Sequence, residues 1–179
     1  MKKNGTIFSI ASLFVLLLCS NTLIAQTAPP TPGNRAPEFH QFDFWVGEWE
    51  LTWHDTANGT VTGTNHITKL LNDNVVHESF SDPTNNYYGQ SWSVYHPQRK
   101  LWQQTWVDNQ GGYLDFTGGM TDGKMILSRS FVNPAGKTVH QRMVFFDIAK
   151  NSLSWSWESS LDEGTTWKQQ WLIHYKRKK

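Results

Sequence analysis

From Gly47 onward the chain alternates polar and apolar positions in short runs, and turn-forming clusters interrupt the alternation at steady intervals. DTANG (55–59), NDN (72–74), DPTNN (82–86), HPQRK (96–100), DNQGG (108–112), TDGK (121–124), NPAGK (133–137), AKNS (149–152) and LDEG (161–164) are nine such clusters. The segments between them are rich in Trp, Tyr, Phe, Val, Ile and Thr, and their period is closer to two than to 3.6. Nine turns separate ten strands. Short connections favour antiparallel neighbours, and a meander of this length avoids exposed edges by closing on itself. The pattern predicts an all-β fold: a single antiparallel up-and-down β-barrel of about ten strands, with a two-sheet sandwich as the alternative. One helical turn is expected around FHQFDFW, ahead of the first strand.

Alternation also sorts side chains between faces. In the fifth segment Trp102, Gln104, Trp106 and Asp108 share one face, while Leu101, Gln103, Thr105 and Val107 share the other. If Tyr95 opposes Trp102 across HPQRKL, then Ser93 faces Gln104, Ser91 faces Trp106 and Gly89 faces Asp108. Such a surface is amphipathic. A purely structural core would use Leu, Ile and Val, because a buried polar group without a partner costs about 1–3 kcal/mol. The mixture predicts the lining of a cavity in which aromatic rings give shape and a few polar groups fix orientation. In the last segment Trp167, Gln169, Trp171, Ile173 and Tyr175 alternate against Lys168, Gln170, Leu172, His174 and Lys176. The lysines mark solvent, so the tryptophan row is expected to point inward beside Trp49, Leu51 and Trp53. Trp45, Trp49 and Trp171 are read as core, and Trp53 as reaching the cavity.

Charged residues inside strands need partners, since loss of solvation penalises an unpaired charge. Glu78, Asp115, Arg129, Arg142 and Glu158 stand in otherwise apolar or aromatic segments. Arg142 with Glu158 or Glu78 is the expected internal pair. The candidate ligand-binding set is therefore Trp53, Glu78, Ser91, Ser93, Tyr95, Trp102, Gln104, Trp106, Asp108, Arg142, Trp157 and Glu158. The same residues admit a small cavity enzyme, with Glu78, Asp108 or Glu158 as general acid or base and Arg142 stabilising an anion.

The N-terminus changes the composition of the mature chain. Lys2 and Lys3, the apolar run Ile7 to Leu18, and a small residue at Ala25 form a secretory signal pattern over residues 1–25. The apolar run is shorter than the roughly 20 residues of a membrane-spanning helix. The expected organisation is a signal peptide (1–25), a Pro-rich linker (26–38) and one domain (39–179), exported to the periplasm or beyond. Cys19 is the only cysteine and leaves with the signal, so the mature chain has no disulfide, thiol nucleophile or thiolate ligand. Removal of Lys2 and Lys3 leaves 14 basic against 15 acidic residues, a formal charge of −1, which offers nothing to nucleic acid. The terminal KRKK (176–179) reads as a solvated tail.

Gly47, Glu48 and Trp49 at the start of a first strand resemble the G-x-W motif of lipocalin-like (calycin) barrels. DFWVGEW (43–49), GTN (63–65), Glu78, YYGQSWSVY (87–95), WQQTWVDNQGG (102–112), DGKMIL (122–127), Arg142 and WESSLDEGTTW (157–167) together resemble a family of secreted bacterial lipocalin-like proteins of unknown function that opens with D-F-W-x-G-x-W. The resemblance spans nearly the whole mature domain. It implies the barrel and brings no reaction with it. Asn72 and Asp73 depart from it, standing where such sequences often carry glycines.

Seven histidines, at 40, 54, 66, 77, 96, 140 and 174, form no H-x-H or HExxH motif, and a site assembled from His66, His77 and His140 is the one cross-strand metal option considered. Barrels of the nitrobindin type hold haem with a histidine near the chain end, but alternation places His174 with the lysines. No cofactor and no metal are expected, and there is no G-x-S-x-G elbow or phosphate-binding loop. The functional expectation is an exported barrel, monomer or homodimer without a membrane span, that binds a small amphipathic or aromatic molecule.

Overall fold

The computed structural model describes residues 35–179, so the expected signal peptide and most of the linker lie outside the described residues. A 3-10 turn, Pro37–His40, precedes β1 (Gly47–Asp55), β2 (Gly59–Leu70), β3 (Val75–Asp82), β4 (Tyr87–His96) and β5 (Leu101–Asp108). β6 (Tyr113–Thr121), β7 (Lys124–Val132), β8 (Thr138–Ala149), β9 (Ser152–Ser160) and β10 (Lys168–Arg177) complete the chain. Each strand pairs antiparallel with its neighbour in sequence, and β1 pairs with β10, giving a closed up-and-down barrel rather than a sandwich. All nine expected turn clusters fall at strand junctions. Asn72 and Asp73 follow Leu71 in a turn where all three take positive φ (52°, 55° and 63°), a conformation that Asn and Asp tolerate better than most residues. No helix among the described residues is long and apolar enough to cross a membrane.

Period-two burial follows from the pleat. In β1, Trp49, Leu51 and Trp53 are buried between exposed neighbours; in β4, Ser91, Ser93 and Tyr95 are buried in the same way. The β4–β5 register is Tyr95↔Trp102, Ser93↔Gln104, Ser91↔Trp106 and Gly89↔Asp108, as the alternation predicts. β10 departs from expectation. Its ladder slips between Gln169 and Trp171, so Gln169 pairs with Glu158 whereas Trp171 pairs with Trp157. The bulge turns the residues before it to the outer face, and Trp167 packs there against Arg142 instead of joining the inward row.

One end of the barrel is stoppered by the segment before β1. Phe42 and Trp45 are fully buried, with Phe42 edge-on to Trp102 at 4.8 Å and Trp45 edge-on to Phe145 at 5.0 Å. The Trp49 indole donates to the Trp45 carbonyl oxygen at 2.7 Å. Arg177 holds this assembly in place. Its guanidinium donates to the carbonyls of Val46 (2.7 Å), Phe44 (3.0 Å) and Lys150 (2.9 Å) and lies 4.1 Å over the Trp49 ring. Gly47, at φ 130°, is required because a Cβ there would collide with the guanidinium. The terminal basic run is therefore not simply a solvated tail: Lys176 continues β10, and Arg177 clasps the stopper.

Arg177→Met is expected to lower unfolding free energy by about 3 kcal/mol, from lost charge-assisted hydrogen bonds and cation–π contact. Gly47→Ala should destabilise by displacing the same guanidinium. A double-mutant cycle by urea unfolding should show strong non-additivity between the two; additive losses would mean that Arg177 does not act through this contact.

Candidate functional site

The barrel contains a cavity of about 210 Å³ that is partly open to the outside. Its walls are mainly rings, each holding the next edge-on or tilted: Trp155 against Trp171 (5.7 Å), Trp171 against Phe80 (5.8 Å), Phe80 against Trp106 (6.1 Å) and Phe116 against Trp157 (5.7 Å). Leu114, Met143 and Ile173 fill the gaps. The polar groups gather toward the stoppered end, where Glu78, Tyr175 and Trp45 reach the same space.

Glu78 projects inward from β3, between Val76 and Phe80. Asn65 Nδ2 donates to its Oε1 at 2.7 Å and the Ser91 hydroxyl donates to its Oε2 at 2.6 Å. No cation among the described residues pairs with it. Burial pushes its pKa up from 4.5 to about 7, and the hydrogen bonds from Ser91 and Asn65 recover only part of that shift. Behind it runs a ladder of neutral groups: Gln104 Nε2 donates to the hydroxyls of Ser91 (3.3 Å) and Ser93 (2.9 Å). Asn65 Nδ2 also reaches the Tyr175 hydroxyl oxygen at 3.2 Å. Burial, and then the charge of nearby Glu78, raise the Tyr175 pKa, so the phenol keeps its proton. The Trp45 indole N–H lies beside that phenol but makes no aligned hydrogen bond among the described residues. Asn65 Oδ1 is also buried without a partner among them.

At the far end of the cavity Asp108 fixes two of the walls. Its Oδ2 accepts from Trp106 Nε1 (3.0 Å) and from the Tyr87 hydroxyl (3.1 Å), and its Oδ1 accepts from the backbone N–H groups of Gln110 (2.9 Å) and Gly112 (2.8 Å). Burial works to raise the Asp108 pKa, but these hydrogen bonds together hold it below the ordinary value. Burial and the Asp108 charge raise the pKa of Tyr87 in turn. Gly89 leaves room for the Trp106 indole, which a Cβ there would strike. Arg129 packs over Phe116 and Phe131 (centroids 5.9 and 5.1 Å), with its Nε buried and unpartnered among the described residues.

The predicted residues thus divide into groups. Glu78, Trp106 and Trp157 line the cavity. Ser91, Ser93 and Gln104 form the buried ladder behind Glu78, and Asp108 positions Trp106 and Tyr87. Tyr95 and Trp102 belong to the stoppered end, where Trp102 donates to Gln41 Oε1 at 3.1 Å and Tyr95 packs on Phe39. Trp53 stands behind Phe80 and Trp171, facing a second, more polar recess of about 480 Å³ along the β1–β10 seam.

Arg142 and Glu158 do pair, Nε to Oε2 at 2.6 Å, but not inside the barrel. Arg142↔Glu158 is the register pair adjacent to Met143↔Trp157, whose side chains line the cavity, so the pleat puts the ion pair on the outer face under Trp167. Glu78 therefore has no arginine partner among the described residues. Trp45 and Trp171, read from sequence as core alone, also line the cavity. Asn65 was missed, although a polar side chain between Gly63 and Ile67 on the inward face of β2 was the available signal. His174 lies on the outer face, 3.2 Å from the Ser154 hydroxyl, where it cannot reach the cavity. His77 stacks on Trp92 outside the barrel, His66 is exposed, and no metal-holding group of three His, Cys, Asp or Glu occurs among the described residues.

A carboxyl whose folded pKa lies above its unfolded value binds its proton more tightly in the fold. Its stabilising contribution is full below about pH 4.5 and is lost as pH rises through about 7. The loss is on the order of 3 kcal/mol for Glu78. Urea unfolding from about pH 5 to pH 8 should therefore show wild type losing stability relative to Glu78→Gln, which cannot ionise. A constant difference across that range would show that Glu78 does not titrate there.

No protein-family model matches the chain, and no curated protein is significantly similar to it. The functional reading rests on the cavity itself.

Proposed function

We propose that this protein is an exported lipocalin-like barrel that binds a small, largely aromatic molecule in its internal cavity. The observation that carries the reading is a void of about 210 Å³ walled by aromatic rings, with Glu78, Tyr175 and Trp45 as its polar end. A core meant only to be stable would fill such a space with side chains, because protein interiors are close-packed. An apolar cavity of about 150 Å³ accepts benzene, so this one suits one or two fused rings with a small polar group and is too small for haem or a long acyl chain. Lipocalin-like kinship is supported by the D-F-W-x-G-x-W motif leading into a closed barrel, and export by the basic, apolar and small-residue pattern of residues 1–25.

Catalysis is the second reading, and the geometry narrows it to Glu78. Its pKa near neutrality suits a general acid or base, whereas Asp108 is engaged in holding Trp106 and Tyr87, and Arg142 and Glu158 lie outside.

Native mass spectrometry of protein recovered from its own compartment should reveal a ligand of this size on a chain cut after Ala25. Met143→Trp, which fills the cavity, should abolish binding while leaving the barrel folded by circular dichroism. Arg142→Met should cost about 1 kcal/mol of stability and leave affinity unchanged. Full ligand occupancy in Met143→Trp would refute the cavity as the site. Turnover of the recovered ligand that vanishes in Glu78→Gln would assign an enzyme instead.

A further inference from the structure

The stopper closes one end of the barrel, and odd-numbered strands run away from it, so the end of β7 and the start of β8 lie at the opposite end. Paired residues of neighbouring antiparallel strands share a face. Leu127, Met143, Trp157 and Trp171 form one inward row across β7 to β10, and the last three line the cavity. The next row on that face, one step nearer the mouth, is Arg129, Gln141, Ser159 and Lys168. The β10 bulge that turns Gln169 outward brings Lys168 into it. An aromatic cavity is thus bordered, on this side of its mouth, by two cations and two neutral polar groups.

Arg129 is held at the mouth by rings and not by an acid. Its guanidinium lies 5.9 Å from the centre of Phe116, a wall of the cavity, and 5.1 Å from that of Phe131. Among the described residues its one hydrogen bond, Nη1 to Gln141 Oε1, is long at 3.4 Å, and no carboxylate pairs with it. Cations at the stoppered end are already engaged: Lys69 pairs with Asp43, and Arg177 clasps the stopper. Asp108, the acid at the open end, is committed to Trp106, Tyr87 and two backbone N–H groups.

Chemistry discriminates among occupants. An ammonium group would be repelled by this row, and a neutral aromatic would gain little from it. A carboxylate matches the planar fork of an arginine, and flanking rings help to orient that fork. Direction follows as well. A carboxylate at the closed end would stand beside Glu78, whereas at the mouth it meets Arg129.

We propose that the occupant is an aromatic acid, its rings among the tryptophans and its carboxylate at the mouth on Arg129, with Lys168 adding positive charge along the same row. This rests on the binding reading above and specifies its ligand class and orientation.

Isothermal titration of the mature protein at low ionic strength with 2-naphthoate and its neutral counterpart 2-naphthamide tests it. 2-Naphthoate should bind at least about tenfold more tightly, the worth of one charge-assisted hydrogen-bonded pair. Arg129→Gln should weaken 2-naphthoate by about tenfold and erase its advantage over 2-naphthamide. Lys168→Gln should weaken it by about twofold, an effect that added salt removes. Arg129→Lys, which keeps the charge without the fork, should weaken it by about threefold and supplies the readout if Arg129→Gln does not fold. Equal binding of the two probes, with no effect of either Arg129 variant, would overturn the acid assignment while upholding the cavity as a binding site. Tightening of 2-naphthoate by Glu78→Gln, with Arg129→Gln silent, would put the carboxylate at the closed end and equally overturn it. Undiminished 2-naphthoate binding in Met143→Trp would reduce Arg129 to a surface anion contact and overturn it too. Failure of both probes at millimolar concentration would overturn the binding reading together with this one.

Discussion

The barrel depends on how its first and last strands are held. β1 and β10 pair only from Trp49↔Arg177 to Thr52↔His174, while β1 and β2 pair from Gly47↔Ile67 to Asp55↔Gly59. A short seam is the weak point of a closed sheet, because beyond it both strands present unpaired backbone groups. Arg177 strengthens the seam from its stoppered end. One guanidinium satisfies three carbonyls from two separate chain segments and covers the Trp49 ring, so closure and capping are a single event. The geometry matches arginine rather than lysine: three carbonyls and an aromatic face call for a planar fork of donors.

At the other half of the seam the strands separate, and the polar recess bounded by Thr52, Gln169 and Leu172 lies over the gap. Trp171 borders both this recess and the internal cavity, immediately after the β10 bulge. The bulge is what allows one strand to serve two surfaces. Before it, Gln169 pairs with Glu158 on the outer face; after it, Trp171, Ile173 and Tyr175 line the interior. Without the extra residue, the register that places Trp171 inward would also have buried Gln169 and Trp167, and Arg142 would have lost its aromatic cover.

What could be read from the sequence was what period-two alternation encodes. The ten strands, their turns and the β4–β5 register were legible because HPQRK fixes a short hairpin and the two strands carry polar and aromatic residues in matched alternation. That same logic found the Ser91–Gln104–Ser93 ladder and Trp106, whereas Glu78 stood out as a charge inside an otherwise apolar strand. It failed where register is not continuous or where a contact joins distant segments. The bulge in β10 has no composition of its own, since Gln169 and Gln170 suit either face. The inward placement of Arg142 and Glu158 failed because two charges in aromatic strands fit an inner or an outer pair equally well until Met143↔Trp157 is fixed beside them. Arg177 was hidden in a basic run whose average character is solvated, although one member has a buried task. Asn65 was passed over because its role depends on Glu78 and Tyr175, thirteen and 110 residues away.

Barrel closure and the cavity wall meet in the opening aromatic segment. Arg177 lies over Trp49, the Trp49 indole donates to the Trp45 carbonyl, and the Trp45 ring closes the polar end of the cavity. A stopper made only of phenylalanine would seal the barrel as well. Phe42 does this next to Trp45, packed on Trp102 and Phe145 with no polar atom to place. Trp45 differs by one N–H, which lies beside the Tyr175 hydroxyl inside the barrel. The clasp that fixes the stopper also fixes the Trp45 ring, so the residues that close the barrel place one wall of its cavity.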